Sequence, residues 1–152
     1  MTLPYLEKEI ISLIEDEKNL IANLANISAS IYHGFPGLNW CGFYLWSKED
    51  EELILGPFQG KAACIRIKSG KGVCGTSYLR GETLRVDDVH EFPGHISCDS
   101  ASESELVVPL IKNGEVLGVL DLDAPVKSHF SAEHALAFTQ LINRVVPYLW
   151  RD

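Results

Sequence analysis

No apolar run in this 152-residue chain is long enough to span a bilayer. The opening Met1-Thr2-Leu3-Pro4-Tyr5 leads into charged residues, not into the apolar stretch of a secretory signal. The expected location is therefore cytoplasmic. None of the four cysteines stands in a CxxC pair, which argues against a zinc ribbon and against a thioredoxin-like motif. Basic residues are scarce: 13 Lys and Arg face 21 Asp and Glu, for a net charge of −8. Such a surface repels phosphate backbones, which argues against nucleic acid as a partner. Ser69-Gly70-Lys71-Gly72 lacks the spacing of a P-loop, so nucleotide hydrolysis is not expected either. The chain shows no linker, internal repeat or low-complexity stretch.

What remains is an ordinary globular composition, 46% hydrophobic, in a length that suits one domain with a real core. From Pro4 to about Tyr32 apolar residues recur at helical spacing, predicting a long amphipathic helix with a possible break near Asn19. His33 to Gly37 ends it. Trp40–Trp46 and Glu52–Gln59 read as a hairpin pair, and Ala62–Ile67 as a third strand. A short helix is expected over Val73–Arg80 and a brief strand over Leu84–Val86. Asp87–Glu105 has no periodicity and reads as a long loop, the kind of segment that often carries function. Leu106–Ile111 and Val116–Asp123 flank Asn113-Gly114, the pattern of a tight β-hairpin. Ser131 is placed to cap a last helix reaching Trp150. Hairpin-joined strands imply an antiparallel sheet, and helices at both chain ends would cover one face of it. The fold class is α+β.

In a reducing cytosol, free cysteines are catalytic, metal-binding or inert more often than structural. Cys98 lies in the long loop among small polar residues, where exposure is expected. Cys74 lies near a helix start, where amide dipoles would favour the thiolate. Cys64 falls within the third strand. Cys41, among aromatics, reads as a small buried hydrophobe. Asp121 and Asp123 are two apart in a strand and share a face; Glu105 opens the same hairpin. They are either a solvated strand end or a carboxylate patch for a cation such as an amino-acid ammonium. Trp40 and Tyr44 share a face of the first strand. His90, His95, Cys98 and Asp99 are close in sequence, but their spacing matches no standard zinc pattern.

Asn39-Trp40-Cys41-Gly42-Phe43-Tyr44-Leu45, the stretches Gly56–Ile67 and Gly70–Thr76, and Gly94-His95-Ile96-Ser97-Cys98-Asp99-Ser100-Ala101-Ser102 together resemble the free methionine-(R)-sulfoxide reductases, small stand-alone proteins of the GAF fold. The likeness continues through Ser104–Leu110 and Gly118–Asp123. It implies a single GAF-like domain over 1–152, with about six antiparallel strands and terminal helices packed on one face, assembled as a homodimer. By position, Cys98 matches the catalytic nucleophile, and Cys64 and Cys74 match the cysteines that resolve it. Glu105, Asp121 and Asp123 match acidic substrate ligands, and Trp40 and Tyr44 match the aromatic wall. Cys41 has no catalytic counterpart.

The activity so implied is reduction of free L-methionine (R)-sulfoxide through a cysteine sulfenic acid and an intramolecular disulfide. Thioredoxin would recycle the disulfide, and no metal or organic cofactor would be needed. Two rivals stand beside it. One is a GAF-type sensor that binds a small ligand without chemistry. The other is a thiol redox switch without turnover. A sensor has no need for three cysteines and usually carries an attached output domain, whereas a switch would use Cys98 and a partner cysteine but turn over no substrate.

Overall fold

Leu6, Ile10 and Ile14 recur every fourth residue, which sets one apolar stripe along a first helix, α1 (Leu3–Ile14). In the computed structural model, which describes residues 3–95 and 98–151, the chain then breaks. A second helix, α2 (Leu20–Gly34), begins where Asn19 accepts the Ala22 N–H at 2.9 Å. The single long helix suggested by periodicity is thus two, divided near Asn19. Arg151 fills the gap: its guanidinium donates to the carbonyls of Ile14, Glu15 and Glu17 at the open end of α1.

Six strands follow: β1 (Trp40–Ser47), β2 (Glu52–Gly60), β3 (Arg66–Lys68), β4 (Leu84–Val86), β5 (Ser104–Lys112) and β6 (Glu115–Ala124). Helix α3 (Gly72–Arg80) lies between β3 and β4, and α4 (Ala132–Leu149) closes the described chain. The strands form one antiparallel sheet in the order β3-β2-β1-β6-β5-β4. The β5–β6 hairpin turns on Asn113 and Gly114, with φ of 53° and 76°, the left-handed pair that an Asn-Gly turn adopts. Ser131 caps α4 by accepting the His134 N–H at 3.0 Å. Two expectations need correction. The third strand is only Arg66–Lys68, so Cys64 sits in the loop before it. The long loop contains one 3-10 turn, Val89–Glu91, and ends at β5, which already includes Ser104 and Glu105.

Side-chain alternation splits the sheet into two faces. Cys41 and Phe43 of β1, Leu106 and Val108 of β5, and Leu120 and Leu122 of β6 point to one face. There they pack under the apolar stripes of α1, α2 and α4. Cys41 is fully buried in this core, as its aromatic setting suggested. The alternate residues Trp40, Tyr44, Val107 and Val119 point to the other face, beneath α3 and the long loop. No helix among the described residues is long and apolar enough to cross a membrane.

Phe138 of α4 is wholly buried and meets Phe35 edge to face at 5.2 Å. Phe138→Ala should cost about 3–5 kcal/mol in a urea unfolding titration, through lost transfer free energy and an unfilled cavity. A loss below about 1 kcal/mol would mean that α4 does not anchor this face.

Candidate functional site

The register of the three central strands assembles the site. Asp123 of β6 pairs with Trp40 of β1 on one side and with Glu105 of β5 on the other. Asp121 pairs with Gly42 and Val107. Period-two alternation therefore turns Glu105, Asp121 and Asp123 toward the same face as Trp40 and Tyr44. That face is the floor of a cavity roofed by α3 and by the loop carrying Cys98. Glu105 and Asp121 are each 6% exposed and Asp123 is half-buried, so these acids are not a solvated strand end.

Burial is the leading cause of the electrostatics. It raises the pKa of all three carboxyls, and mutual repulsion raises Glu105 and Asp123 further. Asp121 is raised least, because hydrogen bonds from Glu105 and Cys74 favour its charged form. The shifts leave Asp121 the most readily ionised of the three and favour the protonated form of Glu105. One oxygen of Asp121, Oδ1, has no hydrogen-bond partner and is buried. An unpaired buried acceptor is costly unless a ligand supplies the donor.

The aromatic wall has a second task. Trp40 stacks between Tyr44, at 5.9 Å between ring centroids, and Phe58, at 5.2 Å. Trp40 Nε1 donates to the Lys61 carbonyl at 3.0 Å, and the Tyr44 hydroxyl donates to the Cys64 carbonyl at 2.9 Å. Burial and the nearby acids hold the Tyr44 phenol well above its ordinary pKa, so it remains a donor. These two bonds fix the loop that presents Cys64. Across the cavity, Asn39 Nδ2 donates to Asp99 Oδ2 and to Ser102 Oγ, both at 3.1 Å, pinning the segment after Cys98.

Cys64 and Cys98 are joined as a disulfide, with Cα atoms 5.5 Å apart. Cys98 borders the cavity. Cys74 is a free, buried thiol, donating to Glu105 Oε2 at 3.9 Å. The expected acidification of Cys74 by the helix start is overturned. Burial first, then Asp121, Glu105 and Asp123, push its pKa well above the ordinary thiol value. The local dipole is outweighed by carboxylates brought in from β5 and β6.

Of the grouping near residue 90, His90 departs, bonding Asp88 at 2.9 Å and largely exposed, whereas His95, Cys98 and Asp99 all line the cavity, with His95 Nε2 3.9 Å from Glu105 Oε1. Burial, with His90 nearby, lowers the His95 pKa and favours the neutral ring. Among the described residues, the set able to hold a metal ion is instead Cys74, Glu105 and Asp121, with ligand atoms within 4.8 Å of one another. Ile96 and Ser97 of the Cys98 motif lie outside the described residues. Sequence reasoning missed Asn39 as a clamp, because nothing local signals a partner 60 residues away. It also read Lys71 only as part of a turn, although it borders the cavity.

Comparison with known proteins gives a consistent picture. The GAF domain family matches residues 19–146. A free methionine-R-sulfoxide reductase of Escherichia coli is 47% identical over 137 residues, covering 90% of this chain and 82% of that one. The free methionine-R-sulfoxide reductase of Neisseria meningitidis, solved in complex with its substrate, superposes with a TM-score of 0.94 at 40% identity, covering 97% of this chain and 87% of that one. The fRMsr of Staphylococcus aureus in its reduced form superposes at 0.93 with 44% identity, covering 98% and 96%.

Two measurements test the electrostatics and burial described here. An acid whose folded pKa is raised holds its proton longer than the unfolded chain does. Its stabilising effect is complete below the ordinary carboxyl pKa and is lost as pH rises through the folded value. Glu105→Gln should therefore stabilise the fold by about 1–2 kcal/mol near pH 8 and by much less near pH 4. Melting curves that shift equally at both pH values would show that Glu105 is not held protonated. With the disulfide intact, a thiol reagent should find no reactive cysteine in the native protein and two after denaturation, Cys41 and Cys74.

Proposed function

The chain belongs to the GAF domain family and, within it, to the free methionine-R-sulfoxide reductases, and from that premise we propose that it reduces free L-methionine (R)-sulfoxide to methionine with Cys98 as nucleophile. The observation that carries this reading is the Cys64–Cys98 disulfide set beside a cavity floored by Glu105, Asp121 and Asp123.

The Cys98 thiolate attacks the sulfoxide sulfur. The protonated Glu105 carboxyl delivers its proton to the sulfoxide oxygen as negative charge builds there. The protonated oxygen then passes from the substrate sulfur to the Cys98 sulfur as the sulfoxide S–O bond breaks, so methionine leaves as the sulfide, two electrons richer, and Cys98 is left as a sulfenic acid. The Cys64 thiol displaces that oxygen as water and the disulfide forms. Cys64 is better placed for this step than Cys74, which is buried, strongly protonated and bonded to Glu105. Asp121 and Asp123 hold the substrate ammonium, and the unpaired Asp121 Oδ1 is an acceptor waiting for it. Trp40 and Tyr44 enclose the apolar part of the substrate. A methionine inside a polypeptide lacks the ammonium and leaves those acids unpaired, which disfavours it strongly.

Thioredoxin is the external dithiol that reopens the disulfide. The electrons come from sulfur throughout, so the scheme calls on no metal or organic cofactor. A homodimer working in the cytoplasm completes the reading. A thiol switch would also use the Cys64–Cys98 pair, but it would consume no sulfoxide.

Incubation with racemic free methionine sulfoxide, thioredoxin, its reductase and NADPH should consume half of the sulfoxide and stop, and Cys98→Ser should consume none. No consumption by the unmodified protein would leave a switch or a sensor. Full consumption would remove the stereospecificity.

A further inference from the structure

The disulfide has two ends, and their surroundings differ in charge. The segment 61–71, which holds Cys64, contains Lys61, Arg66, Lys68 and Lys71 and no acid. The segment 87–105, which holds Cys98, contains Asp87, Asp88, Glu91, Asp99, Glu103 and Glu105 and no Lys or Arg. Arg85 and Lys127 pair with two of those acids, Asp87 at 3.0 Å and Asp88 at 3.2 Å. On the Cys64 side, Arg66 pairs with Asp50 at 3.4 Å. The Lys61 and Lys68 ammonium groups have no hydrogen-bond or ion-pair partner among the described residues. In a chain of net charge −8, the fold makes no use of these cations.

Access differs as well. Cys98 lines the cavity, whereas Cys64 is not among its described lining residues. Cys64 is half-buried, and its neighbour Ile65 is 64% exposed, a large apolar side chain left in water beside the sulfur. The Ile65 carbonyl accepts the Leu55 N–H at 2.8 Å, so its backbone is held while its side chain stays outside. Arg66 and Lys68 are two apart on β3 and share the exposed side, with Ile67 buried between them. Leu79 of α3, 65% exposed, lies against Gly70 of the same segment. Apolar contacts rimmed by charge have the composition of a protein interface.

We propose that this basic face around Ile65 docks the external dithiol protein, and that the incoming thiolate attacks Cys64 and not Cys98. The inference rests on the reductase reading and deepens it, naming the sulfur that is attacked and the surface that receives the partner. That partner carries acidic groups around an apolar contact, which the segment holding Cys98 would repel. Its thiolate bonds to Cys64 Sγ, the Cys64–Cys98 bond breaks, and Cys98 leaves with the electron pair as a thiolate. The partner's second thiol then displaces Cys64, which takes up a proton, and the partner departs as a disulfide. Two electrons have moved, and the nucleophile is restored on the cavity side.

The test uses an acidic thioredoxin. A form with its second cysteine replaced by serine, added to the oxidised protein and quenched with an alkylating reagent, should be found by peptide mass spectrometry joined to Cys64, with Cys98 alkylated. Attachment to Cys98 with Cys64 alkylated overturns the assignment. In steady-state turnover of free methionine sulfoxide, the double variant Lys61→Glu, Lys68→Glu should raise the KM for thioredoxin about tenfold, with kcat little changed. The same variant should turn over normally with dithiothreitol, which is small and uncharged. Raising the ionic strength should increase the KM for thioredoxin in the unmodified protein and much less in the variant. An unchanged KM for thioredoxin, or an equal loss with both reductants, overturns the docking face while leaving the reductase standing. Turnover with dithiothreitol and none with thioredoxin does the same. Turnover with neither removes the reductase reading, and the docking face falls with it.

Discussion

Three carboxyl groups are held under a helix with little water to solvate them, and the rest of the site follows from that constraint. Glu105, Asp121 and Asp123 share a face because β5 and β6 pair in one register and because side chains alternate along a strand. A slip of one residue would send all of them into the oil of the opposite face. Within the cluster, charge cannot reside on every member, so protons and hydrogen bonds are divided unequally. The same division gives an acid that can donate and an anion that can hold an ammonium. Burying such a group costs stability, and the apolar face under α1, α2 and α4 supplies the surplus that tolerates it.

Elements whose information is local were legible in the sequence. Asn113-Gly114 marked its hairpin, Ser131 its helix start, and Leu84–Val86 its short strand. Asn19 marked the break between α1 and α2, although periodicity alone ran through it. The apolar spacing over Pro4–Tyr32 also marked the core-facing stripe of α1 and α2, although Leu13 and Ile21 within it are exposed. Cys41 fell on the core face because alternation from Trp40 requires it.

What was not legible depended on distant partners. Cys64 sits in the mostly apolar run Ala62–Ile67 that suggests a strand, but the segment around it is held as a loop. The Trp40 and Tyr44 side chains occupy carbonyls there, and the Leu55 N–H takes the Ile65 carbonyl. Cys74 looked acidic from its own helix, whereas burial first, and then acids on β5 and β6, the nearest 31 positions away, suppress its ionisation. Asn39 gave no hint of reaching Asp99 and Ser102. Resemblance to a family supplied roles for Cys64 and Cys74 but none for Asn39, and the direction of each pKa and the pairing of Cys64 with Cys98 came from three-dimensional placement.

The bonds from Trp40 and Tyr44 to the Cys64 loop join two jobs in one part. On the proposed reading, the rings that would enclose the substrate are the same rings whose polar tips hold the loop carrying Cys64. Recognition and recovery therefore share a hinge. Any substrate that tilts the indole or the phenol also moves the recovering thiol, so a poorly fitting molecule would be penalised twice, once on entering and once when the enzyme resets.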